Sequence, residues 1–291
     1  MARKALCVGI NEFASLPRTS WLNGCVNDAN DIAAGLRSFG FAKRDTTVLT
    51  DADATKKNVM AALTDLVGKA KAGDTIVFTL SSHGTQVPNE PGGDVEPDGL
   101  DEAFACHDIR QRGNQWDRDT VIVDDELHDL FASVPEGVLL EVLLDTCHSG
   151  TGLRDLEEVM QAAVLGRAPR FLPPPTPAGL EQVRSIRALA PPRTVDRKAL
   201  VELTKGRRAG AKPVLFAACK PDQTASDATF DGRSNGAFTY LFLKALAEDG
   251  TRTRAQLASA VTKGLKSGNF DQRSTLEAPP KARRVGFGQA F

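Results

Sequence analysis

Four short, almost wholly apolar runs limit what this 291-residue chain can fold into. They occupy residues 5–10, 75–80, 139–144 and 214–218, and a still shorter run occupies residues 121–123. Runs of this length without polar alternation are typical of strands that are buried on both faces of a parallel sheet. They are far too short to cross a membrane.

The stretches between these runs carry the spacing of amphipathic helices. Helical signals cover residues 27–39, 57–70, 237–248 and 254–266, and the first of them begins at Asn and Asp residues that are able to cap a helix. Strands that alternate with helices in this way predict an α/β fold, with a mostly parallel sheet covered by helices.

Residues 166–210 break this pattern. Three consecutive prolines, a further Pro-Pro pair and many arginines make the stretch a poor candidate for a packed element. A connection of this length within a domain is usually functional or disordered. We therefore predict a large part over residues 1–155, a linker over residues 156–211, and a small part over residues 212–291.

Composition excludes several classes of function. A formal net charge of −1 gives no sign of the basic face that nucleic-acid binding needs. The five cysteines are odd in number and form no CxxC pair, which argues against a zinc site and a disulfide framework. The first apolar run is followed by no GxGxxG, so no organic cofactor is expected. The start has no signal-peptide pattern, and we expect a soluble cytoplasmic protein without a membrane partner.

Two of the predicted strands end in residues that can carry out chemistry. The run TIVFTLSSHGTQ brings His83 and Gly84 to one strand end, and VLLEVLLDTCHSG brings Cys147 and His148 to another. Reactive groups collect at the carboxyl ends of strands in open α/β sheets. A free cysteine titrates near ~8.5, so a nucleophilic Cys147 needs a base such as His83, which later returns the proton to the leaving amine. His148 is the worse candidate because neighbouring side chains point apart. A small buried hydrophobe is the alternative role for Cys147.

The same two motifs, LSSHGTQ and LLDTCHSG, resemble the caspase-like peptidases and among them the metacaspases. The resemblance continues in order through KALCVGINEF, LNGCVNDANDIAAGLRSFGF, EPDGLDEAF, VDDEL, KPVLFAACKPDQTASDA and GAFTYLFLKAL. Apart from residues 156–211 it covers nearly the whole chain, and it implies that residues 1–155 are the catalytic part and residues 212–291 a small part of the same domain. It implies a caspase-like three-layer sandwich with about six mostly parallel strands. It also implies a cysteine endopeptidase with Cys147 as nucleophile, His83 as base, and an oxyanion hole formed by the backbone N–H groups of Gly84 and Cys147.

The resemblance further places Cys25, Asp28, Ser81 and Asp145 at the S1 pocket, where metacaspases hold an arginine or lysine side chain. Two carboxylates that converge on a pocket favour a cation, and a guanidinium can bind such oxygens in bidentate fashion. We therefore expect protein or peptide substrates with Arg or Lys at P1. An ordinary residue at a helix start is the alternative role for Asp28.

Two kinds of control are implied by the resemblance. Asp98, Asp124, Asp125 and Asp155 match the calcium-binding positions of calcium-dependent metacaspases, and oxygen ligands suit this ion; Asp124 and Asp125 equally suit the start of a helix. The linker matches the processed connection of caspase-like zymogens, cut by the enzyme itself or by an upstream protease, with an inhibitor as a further partner. The candidate processing sites are Arg167, Arg170, Arg184, Arg187, Arg193, Arg197, Arg207 and Arg208.

Three other functions stay open at this point. A clostripain- or separase-like peptidase would share the His-Gly and Cys motifs, but NGCVNDA and DDEL argue against it. A catalytically silent caspase-like scaffold that binds a protein partner is disfavoured because Cys147 and His83 are both present. A small-molecule-binding α/β domain would need the phosphate loop that the chain lacks.

Overall fold

The computed structural model describes residues 1–89, 99–147, 167–189, 213–220 and 223–291. In these ranges the strands are β1 (Arg3–Gly9), β2 (Thr46–Thr50), β3 (Thr75–Ser81), β4 (Gly84–Pro88), β5 (Leu100–Ala105), β6 (Gln111–Arg112), β7 (Gln115–Trp116), β8 (Val121–Val123), β9 (Leu139–Asp145), β10 (Ala168–Pro169), β11 (Val214–Ala217), β12 (Ser226–Phe230), β13 (Arg233–Gly236) and β14 (Thr275–Glu277). The α-helices are α1 (Cys25–Gly35), α2 (Lys56–Gly68), α3 (Asp124–Ala132), α4 (Pro177–Leu189), α5 (Ala237–Glu248) and α6 (Arg254–Ser267).

A six-stranded sheet forms the centre of the fold and confirms the predicted α/β class. Its strand order is β14-β11-β9-β3-β1-β2. Only β14 runs antiparallel to its neighbour; the other pairs are parallel. The four apolar runs of the sequence correspond to β1, β3, β9 and β11, and every residue of β3 and β9 is buried. Burial on both faces explains why these strands carry no alternation.

Helices cover the sheet on both faces and complete the predicted three-layer sandwich. On one face Leu63 of α2 and Phe131 of α3 join a common apolar core. On the other face Ile32 of α1, Phe238 of α5 and Val261 of α6 join a second core. The predicted helix over residues 27–39 is shorter than expected, because α1 ends at Gly35 and gives way to a 3-10 helix, Leu36–Phe39.

Part of the predicted linker is packed, which corrects the expectation drawn from its composition. Helix α4 buries Val183, and Arg170 is fully buried. The consecutive prolines lie before this helix, and Pro177 stands at its first position, where a proline removes no intrahelical hydrogen bond. Residues 190–212 lie outside the described residues. In the part of the chain that the structure describes, no helix is both long and apolar enough to span a bilayer.

The register of the sheet brings the sequence motifs to one edge. Ser81 at the end of β3 pairs with Asp145 at the end of β9 and with Gly9 at the end of β1. The loops after these three strands therefore leave the sheet side by side, in agreement with the expected position of the reactive residues.

Candidate active site

His83 and Cys147 each follow a strand end at the same level of the sheet, two residues beyond the paired Ser81 and Asp145. Their backbones touch, because a Cβ on Gly84 would lie 1.6 Å from the carbonyl oxygen of Cys147. Glycine is therefore required after the histidine. The N–H groups of Gly84 and Cys147 donate to one common acceptor, the carbonyl oxygen of Arg170, at 2.9 and 3.3 Å.

The environment of His83 keeps its imidazole neutral. Its Nε2 lies 2.8 Å from the carbonyl oxygen of Ser20, which can only accept, so Nε2 carries the proton. Nδ1 is buried and has no hydrogen-bond partner among the described residues. Burial lowers the pKa of His83 to about 4, although the Ser20 carbonyl opposes this shift. A neutral imidazole with a free Nδ1 is the form that a general base needs.

Cys147 is buried beside a second cysteine. Its thiol donates to the carbonyl oxygen of Gln223 at 3.1 Å. Cys219 follows the neighbouring strand β11, and its thiol sulfur lies 3.6 Å from the carbonyl oxygen of Thr146. A hydrogen bond between the two cysteine side chains, together with burial, raises the pKa of the Cys219 thiol well above its ordinary value. His148 lies outside the described residues.

A cluster of carboxylates surrounds the guanidinium of Arg170. Nη2 donates to Asp28 at 2.6 Å and to Asp227 at 2.8 Å. Nη1 donates to the carbonyl oxygen of Asp145 at 2.9 Å and lies 3.1 Å from its carboxylate. The structure thus brings the predicted S1 residues Asp28 and Asp145 together on a cation, and it adds Asp227, which sequence reasoning missed. Asp227 lies in DQTASDA, a segment that contributed to the family resemblance but did not indicate a function for this aspartate.

Each carboxylate is also held by the protein itself. Asp28 accepts from the Asn235 side chain and from the Gly236 N–H, both at 3.0 Å. The remaining donors are Thr239 N–H and Oγ1 to Asp145, at 3.0 and 2.6 Å, and Asn23 N–H and Gly24 N–H to Asp227, at 2.8 and 2.9 Å. These donors hold the carboxylates in addition to Arg170, from elements other than the segment that carries it.

The cluster favours a cation strongly. Burial raises the pKa of Asp28 to about 7, while the charge of Arg170 opposes the shift and that of Asp145 adds to it. Burial alone would lower the pKa of the Arg170 guanidinium. The negative charges around it, above all that of Asp145, outweigh burial and raise this pKa. Cys25 is buried next to the cluster, and burial raises the pKa of its thiol well above the ordinary value. Ser81 is buried and pairs with Asp145 in the sheet.

The chain around Arg170 crosses the cleft in an extended form. Before it, Ala168 and Pro169 pair with β12 in antiparallel fashion, and the Arg170 N–H donates to Ala225 at 2.9 Å. Beyond it, the Leu172 N–H donates to the Gly84 carbonyl at 2.9 Å, and the Thr85 hydroxyl donates to the Leu172 carbonyl at 2.8 Å. The segment therefore makes backbone contacts on both sides of Arg170.

Half of the predicted calcium ligands can be located. Asp124 and Asp125 begin α3, as their alternative role suggested, and Asp124 is buried. Asp98 and Asp155 lie outside the described residues. Among the residues that are described, no group of three or more His, Cys, Asp or Glu side chains could hold a metal ion. The two located carboxylates have the oxygen chemistry that suits calcium, but they are too few for a complete site.

Comparison with known proteins agrees with this geometry. The family model for the metacaspase, peptidase C14 domain, matches residues 3–156. The chain belongs to the metacaspase family. Metacaspase-1 of Cryptococcus neoformans is 32% identical over 298 residues, which cover 95% of this chain and 62% of that protein. The chain thus spans less than two thirds of that relative.

Two solved structures share the fold of this metacaspase. A crystal structure of a protein from Geobacter sulfurreducens has a TM-score of 0.66 and 23% identity, and covers 100% of this chain and 99% of its own. The crystal structure of caspase-1 from Spodoptera frugiperda has a TM-score of 0.55 and 12% identity, with 95% and 86% covered. At these identities the two structures support the caspase-like fold alone.

Proposed function

We propose that this metacaspase is a cysteine endopeptidase that cleaves peptide bonds after arginine or lysine. One observation carries the proposal: Arg170 has its side chain among three carboxylates and its carbonyl oxygen between the N–H groups of Gly84 and Cys147. A substrate with a P1 arginine would need the same two sets of contacts at the same time. The P1 aspartate side chain of a caspase substrate would be repelled by Asp28, Asp145 and Asp227.

In the proposed reaction the Cys147 thiol turns from the Gln223 carbonyl oxygen to His83, which accepts its proton at Nδ1. The sulfur then attacks the P1 carbonyl carbon. The oxyanion is stabilised by the N–H groups of Gly84 and Cys147, since such donors act at the position where charge develops. The C–N bond then breaks, the amine leaves with the proton from His83, and a thioester to Cys147 remains. Water attacks this thioester and gives one proton to His83. The C–S bond then breaks, the new carboxyl group is released, and the Cys147 sulfur takes the proton back from His83.

Arg170 is also the processing site that we favour among the predicted candidates. Its bond to Phe171 lies at the dyad, whereas Arg184 is 42% exposed on α4. The side chain of Arg187 and the residues Arg193, Arg197, Arg207 and Arg208 lie outside the described part of the chain. In the uncut chain the segment fills the cleft and excludes other substrates, so cleavage after Arg170 would open the site. Because both partners belong to one chain, we expect the cut to be intramolecular.

Mapping of new N-termini by mass spectrometry tests the catalytic assignment and the processing site together. Wild type should acquire an N-terminus at Phe171, at a first-order rate that does not depend on protein concentration. Cys147→Ala and His83→Ala should show no cut there and no hydrolysis of Arg or Lys peptides, while His148→Ala should retain substantial activity. Arg170→Gln should block this cut, and Arg184→Gln is the matched control that should leave it unchanged.

Three outcomes would contradict the proposed catalysis and specificity, and a fourth would contradict the intramolecular cut. Full activity of Cys147→Ala would remove the nucleophile, and a peptide panel in which P1 Asp is cleaved faster than P1 Arg would remove the specificity. A folded wild-type chain that cleaves neither itself nor any peptide would favour the catalytically silent scaffold. A cut that appears only when a second protease is added would assign activation to an upstream enzyme.

Calcium dependence is a separate part of the proposal. Carboxylates brought together repel one another, and a divalent ion would relieve this repulsion at Asp124 and Asp125, with Asp98 and Asp155 as the further ligands predicted from the family resemblance. We expect calcium to raise peptidase activity, and Asp125→Asn to weaken the response. An activity that stays constant from excess chelator through a broad calcium titration would remove calcium and leave the catalytic assignment intact.

A further inference from the structure

A second arginine of the segment in the cleft has a site of its own. Arg167 lies three residues before Arg170, and its guanidinium carbon lies 3.9 Å from the centroid of the Phe270 ring. Its Nη1 donates to the carbonyl oxygen of Asn269 at 2.6 Å, and its Nη2 donates to that of Gly268 at 2.7 Å. A planar guanidinium can stack on a ring and donate in its own plane at the same time, which an ammonium group cannot do.

The acceptors belong to the end of a helix and owe their position to it. Helix α6 ends at Ser267, and the next two residues supply the two carbonyl oxygens. Carbonyl groups at a helix C-terminus lack intrahelical partners and carry partial negative charge, so they favour a cation. Asn269 has a positive φ of 53°, and the Phe270 N–H returns to the Leu265 carbonyl at 3.0 Å, which turns the chain back across the helix end.

The aromatic wall of this site is packed in place. The Phe270 ring lies against the ring of Phe230 on β12, with centroids 6.1 Å apart. It also lies so close to Gly268 that a Cβ there would come within 2.8 Å of Phe270 Cε2. These contacts come from the small part of the domain and do not involve Arg167. The site therefore exists independently of the residue that fills it.

We infer that Phe270 and the carbonyl groups of Gly268 and Asn269 form a second recognition subsite, which accepts a basic side chain at P4. The inference rests on the proposed function, since it numbers the segment from Arg170 as P1. Antiparallel pairing with β12 fixes the spacing, because Ala168 pairs with Asp227 and places Arg167 just beyond that pair. The preferred substrates are then segments with two basic residues three positions apart, of the form Arg-x-x-Arg, rather than any exposed arginine.

Four fluorogenic peptides on the self-cleaved wild-type enzyme test the subsite. We compare acetyl-Arg-Ala-Pro-Arg with the same peptide carrying Gln or Glu at P4, and with the isomer acetyl-Ala-Arg-Pro-Arg, which keeps the net charge and moves the cation to P3. We expect kcat/KM to fall about tenfold from Arg to Gln at P4, as loss of a cation–π contact with its hydrogen bonds implies, and further for Glu. The isomer should be cleaved about as slowly as the Gln peptide, because its second cation does not reach the subsite. A general attraction for basic peptides would instead give the isomer the same kcat/KM as the peptide with Arg at P4, since their net charges are equal.

Phe270→Leu tests the protein side of the same contact. It should reduce the Arg-to-Gln ratio at P4 and leave kcat/KM for the Gln peptide near the wild-type value. Where this variant does not fold, self-cleavage of Arg167→Gln in the full chain decides instead, and should be slower than in wild type and in the control Arg184→Gln. Equal kcat/KM for Arg and Gln at P4, or for the two isomers, would overturn the subsite. Loss of cleavage of every peptide after arginine would overturn the proposed function itself, so the two failures can be told apart.

Discussion

Strand β9 carries two buried carboxylates on one face, Glu141 and Asp145, and each meets a fully buried arginine. At Glu141 the partner is Arg254, whose Nη2 donates at 2.6 Å. The other donors of Arg254 are used as well, since its Nη1 donates to the Ala282 carbonyl at 3.0 Å and its Nη2 also donates to the Gln289 carbonyl at 2.8 Å. One cation balances one carboxylate here, and the pair fastens the C-terminal residues to the sheet.

At Asp145 the balance is different. Arg170 faces three carboxylates, and its Nε has no hydrogen-bond partner among the described residues. Burial raises the pKa of Asp28 to about 7, and the charge of Asp145 adds to this effect. The Glu141 pair balances its charges, whereas the Asp145 cluster carries the excess negative charge that the exchangeable cation of the proposed function requires. Four residues along one strand thus separate a structural ion pair from the proposed binding pocket.

The largest effect should come from Asp145→Ala measured against Glu141→Gln. Removing one partner of a buried charge pair typically costs about 3–5 kcal/mol. For Asp145→Ala this cost should appear in kcat/KM for P1-Arg peptides, as a loss on the order of a hundredfold to a few thousandfold. For Glu141→Gln it should appear in the free energy of unfolding, measured in urea, while kcat/KM per folded molecule stays near wild type.

A double variant controls for the cost of a single unpaired charge. Replacing both Glu141 and Arg254 with apolar residues (Glu141→Leu with Arg254→Met) should recover much of the lost stability, because a well-packed apolar pair can replace a buried ion pair. The comparison would fail if Glu141→Gln lowered kcat/KM per folded molecule as strongly as Asp145→Ala. In that case both carboxylates would serve the same purpose.

The sequence predicted the parts of the fold that bury continuous apolar surface. Strands β1, β3, β9 and β11 overlap the predicted runs to within two residues at each end, and α5 covers the predicted residues 237–248. Strand β2 was not predicted because it lies at the sheet edge, where TTVLT is only half-buried and mostly polar. Helix α4 was not predicted because the composition of its surroundings, rich in Pro and Arg, outweighed the helical spacing of Leu180, Val183 and Ile186.

The site could be predicted only where a motif carried it. Cys147, His83, Asp28 and Asp145 lie in motifs that the resemblance could match residue by residue. Asp227 joins them through tertiary structure, from the other part of the domain. Arg170 shows the limit most clearly, since as a sequence feature it is one of many arginines in an irregular stretch. Only its partners distinguish it, and all three lie far away along the chain.

A smaller effect should follow from the titration of Asp28. Its pKa in the folded protein, about 7, lies above the ordinary value of 3.8, so its protonation favours the folded state and this contribution is lost as the pH rises through 7. Cation binding has the opposite preference, because an ionised Asp28 attracts a guanidinium. The Arg170 guanidinium lowers this pKa while it lies in the cluster, so Asp28 of an emptied pocket loses its proton at a higher pH than Asp28 beside a cation. We therefore expect agmatine, a small guanidinium compound, to inhibit the self-cleaved enzyme more strongly at pH 8 than at pH 6.

Asp28→Asn isolates this titration from that of the catalytic groups. The variant lacks the carboxyl group but keeps a side chain of the same shape, so its inhibition constant for agmatine should change little between pH 6 and 8. Buried Glu141 provides the matched control, because Glu141→Gln removes a carboxyl that does not face the pocket and should keep the wild-type pH dependence. A wild-type inhibition constant that is flat over this range, or one whose slope survives in Asp28→Asn, would show that the pocket binds cations without the help of this carboxylate. The charge difference between the two sites on β9 would then reside in Asp145 and Asp227 alone.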